Sequence, residues 1–225
     1  MLAYGRVAQI LKSVASVLES LAPSPSECVL NSSKRDLERL LSGFKHRFTT
    51  GAQLTGVLHG VGGAIREYGS LNACFTSGLS AGDPTVLPAL ELFTAEISRL
   101  GRCSCHYLLP APSKGSACKR LNLYLRWMVR SDEVDPGGWK GVSPSLLVVP
   151  LDTHMHRAGT ALGLTSRGQA TLRTALEITE GFRRIAPEDP VRYDFSLTRL
   201  GIRSETSLDE FLQTLTKNKV SKQKV

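Results

Sequence analysis

The chain has 225 residues, 41% of them hydrophobic and 21% charged, an ordinary globular composition that excludes a disordered polymer and allows one domain or two lobes. Of the formal charge of +8, four charges sit on Lys217, Lys219, Lys222 and Lys224 in the acid-free stretch KNKVSKQKV, expected to form a basic flexible tail (217–225). The other four sit on the body, a surface that suits a polyanion such as nucleic acid.

Taken in chain order, Val7, Ile10, Leu11, Val14, Leu18 and Leu21 recur at spacings of three and four, which predicts an amphipathic helix ended by Pro23 and Pro25. The pattern begins almost at Met1 with no capping residue, an opening that suggests a start further upstream or a missing N-terminal helix. A second helix is expected in KRDLERLLSGFKHRF and a third in AQLTGVLHGVGGAIREY, although Gly56, Gly60, Gly62 and Gly63 each lower helix propensity there. In GDPTVLPALELFTAEISRLG, Asp83 reads as cap, Pro84 as first helical residue and Gly101 as stop, with Val86, Leu90, Phe93, Ile97 and Leu100 on one face.

SACKRLNLYLRWMVR places Leu121, Tyr124, Leu125 and Met128 on one helix face and Lys119, Arg126 and Arg130 on the other. A loop rich in Gly and Pro, SDEVDPGGWKGVSPS, leads to the apolar run at 146–150, the only strand-like segment. Helices are expected again in GQATLRTALEITEGFRRI and DPVRYDFSLTRLG. Without alternating strands and helices, the economical architecture is all-α, with two helical lobes and a cleft between them. No internal repeat is evident.

No stretch reaches the roughly 18 apolar residues of a membrane helix. The five cysteines (Cys28, Cys74, Cys103, Cys105, Cys118) are odd in number and lack a disulfide-framework spacing, and no charged segment leads into a signal-peptide core. A soluble, reduced, cytoplasmic monomer without membrane contact is expected.

Three constellations could carry chemistry. Asp152, His154 and His156 form D-x-H-x-H, whose side chains are good ligands for zinc and related ions. If Asp152 caps a helix, however, residues two apart diverge by about 200° and share an ion poorly, so a metal-dependent hydrolase ranks third and no metal is expected. Cys103, Cys105 and His106 lack a fourth ligand at a persuasive spacing, and buried cysteines are common without metal. The remaining pair is Asp152 with the basic helix that starts at Lys119. Asp152 reads as an N-cap or as a catalytic carboxylate, Lys119 as part of a solvated face or as a nucleophile, and Lys114 as a second candidate nucleophile.

VVPLDTHMHRAGTALGL resembles the aspartate segment of helix-hairpin-helix DNA glycosylases, in which an apolar run, a V-D-T-H type element and an arginine-bearing helix follow in order. Asp152, Thr153, His154 and Arg157 occupy the matching positions. Bifunctional members carry a catalytic lysine near the start of the preceding helix, which corresponds to Lys119, 33 residues before Asp152. That gap is longer than in the endonuclease III type and similar to the archaeal 8-oxoguanine glycosylase branch. The longer signature KRLNLYLRWMVR…WKG…PLDTHMHR…PEDPVRYDFSLTRLGI also resembles a bacterial family of unassigned activity related to these enzymes, over most of the chain.

The resemblance implies a DNA repair enzyme that excises a damaged base from double-stranded DNA, with Lys119 and Asp152 as catalytic pair and AP lyase activity. It further implies DNA contacts from Lys114, Gly115, Arg120, Arg126, His154 and Arg157, and a base pocket walled by Trp127 and Trp139, residues that equally serve packing. Two features depart from the pattern. LLPAPSKGSACK has one glycine where common members have an L-P-G-V-G type hairpin, and LHGVGGAI, the better textual match, lies far upstream. The last cysteine is Cys118, so no iron-sulfur cluster or other cofactor is expected. A catalytically inactive DNA-binding relative is the main alternative.

Overall fold

The computed structural model describes residues 1–104 and 106–200, within which ten α-helices and one two-residue hairpin form. The expected tail at 217–225 and Cys105 lie outside the described residues. The helical class follows directly from the 3.6-residue periodicities. No described helix is long and apolar enough to cross a membrane. The chain divides into two compact units, Met1–Lys114 and a second that begins at Gly115.

In the first unit, α1 (Val7–Ser20) forms where its periodicity places it. Its burial is narrower than the pattern suggests: Val17 and Leu21 are buried, whereas Val7, Leu11 and Leu18 are exposed. Pro25 does not merely stop α1. It starts α2 (Pro25–Asn31), whose N-cap Ser24 accepts a hydrogen bond from the Glu27 amide, because proline at the first turn loses no helical hydrogen bond. The helix expected in KRDLERLLSGFKHRF ends early. Ser33 and Asp36 form a capping box for α3 (Lys34–Leu40), and after Gly43 (φ +79°) the chain turns into an antiparallel hairpin of β1 (Lys45–His46) and β2 (Thr49–Thr50), with His46 opposite Thr49.

The glycine-rich segment becomes α4 (Gly51–Tyr68), an 18-residue helix capped by a Thr50/Gln53 box. Here packing overrides propensity. A Cβ at Gly60 would run into the carbonyl of Ile97 in the later helix Leu87–Gly101, and one at Gly62 into the Val29 carbonyl of α2. LHGVGGAI is therefore a helix-packing surface and no phosphate-gripping hairpin. After α5 (Leu71–Thr76), α6 (Leu87–Gly101) begins later than expected, with Pro88 in its first turn, while Asp83 accepts a hydrogen bond from the Ser80 amide. Val86, Leu90, Phe93 and Ile97 are buried, as their spacing predicts.

The second unit holds α7 (Lys119–Val129), α8 (Thr153–Ala161), α9 (Leu172–Arg183) and α10 (Asp194–Leu200). The apolar run that reads as a strand is not one. Leu146 closes a 3₁₀ turn, and Leu147, Val148, Val149 and Leu151 follow as fully buried chain with no strand partner. The Val149 amide instead donates to Thr179 Oγ1 of α9 at 3.0 Å, a side chain satisfying a buried backbone donor where a neighbouring strand would otherwise do so.

Replacing Gly60 with alanine is expected to force α4 from α6 and cost about 1–3 kcal/mol. Thermal unfolding should show it as a fall in Tm of several degrees, and an unchanged Tm would contradict the close approach.

Candidate functional site

Lys119 is the first residue of α7, behind Cys118 in a left-handed conformation (φ +47°). Asp152 is the N-cap of α8, its Oδ1 accepting from the Met155 amide at 2.8 Å. The same carboxylate turns its second oxygen to the lysine: Lys119 Nζ lies 3.4 Å from Asp152 Oδ2. Asp152 is thus a cap and a partner of Lys119 at once, because a carboxylate has two oxygens and the cap uses one. The lysine side chain is 46% exposed and the aspartate 17%.

The pair opens on a cavity of about 490 Å³ within the second unit. Its apolar walls are Leu123, Trp127, Val134, Pro150 and Phe195, and its polar edge includes Thr198 and Arg199. Trp127 is 41% exposed, and the Arg199 guanidinium stacks over the Phe195 ring, 5.0 Å from its centroid. The cavity thus joins apolar and aromatic walls to an amine and a carboxylate at its edge.

Behind the cavity the structure departs from expectation. Arg126, predicted on a DNA-facing basic surface, is 2% exposed. Its guanidinium forks onto Asp135 (Nη2 to Oδ1 2.8 Å, Nε to Oδ2 3.1 Å), and its Nη1 meets Asp194 Oδ2. Arg130 is likewise enclosed and pairs with Asp132, Asp135 and Asp189. No local pattern marks this face as buried, because its acidic partners lie in the loop after α7, at Asp189 and in α10, where Asp194 is 68 residues away from Arg126. Of the three cations on that face, Lys119 alone keeps an exposed side chain.

Burial pushes the Asp194 carboxyl up to about 6, although Arg126 and Lys119 pull it down; the charge of Asp152 adds to the rise. Its Oδ1 is buried and accepts no hydrogen bond among the described residues. Asp132 is held below the usual carboxylate range, first by the backbone amides of Asp135 and Val134.

The other predicted residues scatter. Trp139 packs edge-on against Tyr124, ring centroids 5.5 Å apart, and does not line the cavity. Gly115 adopts φ +76° on an exposed turn, its carbonyl accepting from the Leu172 amide at 3.2 Å, while Lys114 is exposed, Arg120 half-buried and Arg157 exposed on α8. His156 Nε2 is 2.7 Å from the Arg167 carbonyl, and His154 Nδ1 is buried with no hydrogen-bond partner among the described residues. No group of three or more His, Cys, Asp or Glu positioned to hold a metal ion occurs among the described residues, so D-x-H-x-H is not gathered as a ligand set.

Asp194, Phe195, Thr198 and Arg199 are cavity residues that sequence reasoning passed over. Their spacing in DFSLTR, at i, i+1, i+4 and i+5, marks one side of a helix and is the signal that could have found them.

A family model described as "Protein of unknown function (DUF2400)" matches residues 1–203. The chain belongs to this family. The match spans both units and every residue of the cavity. Neither curated proteins nor solved structures give a match.

Two outcomes follow from the buried ion pairs. Arg126→Ala strands two buried carboxylates and is expected to cost about 3–5 kcal/mol in urea unfolding; a near-neutral result would mean the pairs are solvated. Asp194, with its folded pKa above the unfolded value, binds more protons folded than unfolded between about pH 4 and 6, so its contribution to stability falls as pH rises through that window. Relative to Asp194→Asn, the wild type should therefore lose stability from pH 4 to 6 in thermal unfolding, and an identical pH dependence of the two proteins would refute the assignment.

Proposed function

We propose that this protein is a DNA glycosylase with AP lyase activity, in which Lys119 attacks a damaged nucleoside and Asp152 manages the proton and the developing charge. The observation that carries the reading is the 3.4 Å approach of Lys119 Nζ to Asp152 Oδ2 at the mouth of a cavity walled by Trp127 and Phe195. The helix-hairpin-helix resemblance designates the same two residues, Asp152 through VVPLDTHMHRAGTALGL and Lys119 through its place at the start of the preceding helix.

The chemistry fits the parts. Cleaving the bond between base and sugar requires a nucleophile at the anomeric carbon and an anion near the cationic sugar ring. Lys119 must lose a proton to attack, and Asp152 Oδ2 is the acceptor within reach. The new carbon–nitrogen bond forms as the carbon–base bond breaks, the base leaving with its electron pair and taking up a proton. Nζ then loses a proton as the ring carbon–oxygen bond breaks and the ring oxygen takes one up, giving an iminium on Nζ; the iminium acidifies the C2′ hydrogen, whose proton passes to the Asp152 carboxylate as the C3′–oxygen bond breaks and the 3′ phosphate leaves.

A base must leave the duplex to be reached, and the chamber beside Trp127, Phe195 and Arg199 offers it an aromatic and cationic lining. Exposed Lys114 and Arg157 are the candidate phosphate contacts. Arg126, buried in its ion pairs, is reassigned to holding the site together.

The test is borohydride trapping on duplexes containing 8-oxoguanine, uracil, an oxidised pyrimidine or an abasic site. A covalent adduct that disappears in Lys119→Ala and persists in Lys114→Ala is expected. Asp152→Asn should keep the helix cap, and with it a Tm within a few degrees of wild type, while adduct formation falls by at least about a hundredfold. Duplex binding without any adduct would leave a DNA-binding protein that is not a lyase.

A further inference from the structure

A second surface, within the first unit and remote in sequence from the cavity, is built for a different task. The two-residue loop of the β1–β2 hairpin is Arg47–Phe48, and Phe48 is 56% exposed. Its ring stacks on Tyr4 (centroids 5.5 Å apart, planes 14° from parallel) and meets Tyr107 edge-on at 4.8 Å; Tyr107 is itself 46% exposed. One exposed apolar side chain is ordinary, whereas exposed aromatic rings packed against one another form a patch of the kind that marks a contact surface.

The shelf is held rigidly. His46 is buried; its Nε2 donates to the Tyr4 carbonyl at 3.0 Å, which leaves Nδ1 to accept from Ser13 Oγ at 2.8 Å. The Tyr4 hydroxyl reaches back to Thr49 Oγ1 at 2.5 Å. Loop, N-terminal segment and α1 are thereby tied together. Arg47 occupies the left-handed region (φ +54°), which favours glycine or asparagine, and its guanidinium lies 5.3 Å from the Phe48 ring centroid.

The same hairpin forms one side of a cavity of about 480 Å³ whose lining, among the described residues, contains Lys12, Lys45 and Arg47 and no carboxylate. A cation-lined groove that shares Arg47 with a cluster of exposed aromatic rings matches one polymer well. Phosphates occupy the groove, and unpaired bases stack on the rings, a combination used for single strands. A duplex keeps its base faces covered, and an anionic lipid surface or acidic peptide supplies charge without planar rings.

We propose that the Arg47–Phe48 hairpin and the Lys12/Lys45/Arg47 groove bind single-stranded DNA, a base replacing the Arg47 guanidinium over the Phe48 ring as that guanidinium joins Lys12 and Lys45 on the phosphates. The choice of DNA over RNA rests on the glycosylase reading; the surface and its preference for an unpaired strand do not.

Fluorescence anisotropy of the full chain with a labelled oligothymidylate of about a dozen nucleotides, a length within the usual site sizes, tests this directly. Phe48→Ala is expected to weaken binding by at least about fivefold, and Phe48→Trp to restore it. Lys12→Ala with Lys45→Ala should lower the slope of log affinity against log salt by about 1.4, two released counterions on a single strand. Circular dichroism should leave all four proteins alike, since the replaced side chains are exposed.

Affinity within twofold of wild type in both Phe48→Ala and the double lysine variant, or no binding at all, would overturn the proposal. So would equal competition by a blunt duplex, and tighter binding of oligouridylate would overturn the choice of DNA. Borohydride trapping run in parallel separates the two readings: Phe48-dependent binding without an adduct removes the lyase alone, and an adduct with Phe48-independent binding removes the strand site alone.

Discussion

The second unit depends on one buried interaction, the Arg126 guanidinium clamped between Asp135 and Asp194. Two arginines and three carboxylates lose most of their hydration in and around that cluster, a cost that complementary charge and the guanidinium hydrogen bonds offset. The geometry is correspondingly demanding. Arg126 ties α7 to the loop that follows it and to α10, and Arg130 extends the tie to Asp189 ahead of α10. Ion pairs of this kind specify position more than they add stability.

The consequence for the candidate site is positional. Lys119 lies seven residues before Arg126 on the same helix, and Phe195 and Arg199 follow Asp194 on α10. Fixing Arg126 against Asp194 therefore sets the lysine-bearing end of α7 opposite the walls contributed by α10. Asp152 arrives by a separate route: the buried run from Leu147 to Leu151 anchors the start of α8, and the cap geometry aims one carboxylate oxygen at the helix and the other at Lys119. Capping and pairing reinforce each other, since both hold the carboxylate in a single rotamer.

Several features were legible from residues alone. The periodicities at Val86, Leu90, Phe93 and Ile97 and at Leu121 and Leu125 foretold buried faces, because a 3.6-residue repeat admits few other uses. Asp152 was legible as a cap and Lys119 as its partner by resemblance. The hairpin at 45–50 was not, since its loop has Arg47 where the backbone favours glycine. Nor were α2 and α5, each of seven residues or fewer and too short for a periodic signal.

By itself the sequence determined the helical class, the main helices, the buried apolar faces and the helix cap at Asp152, since each rests on local periodicity or capping chemistry. Only the tertiary structure decided what the glycines of α4 and the arginines of α7 do. Gly60 and Gly62 read as weak helix, yet they are where α4 meets the Ile97 and Val29 carbonyls. Arg126 read as a surface cation, yet it is buried against Asp194, 68 residues away. Helix contacts and ion pairs form between segments distant in the chain, and no local pattern states which partner will arrive.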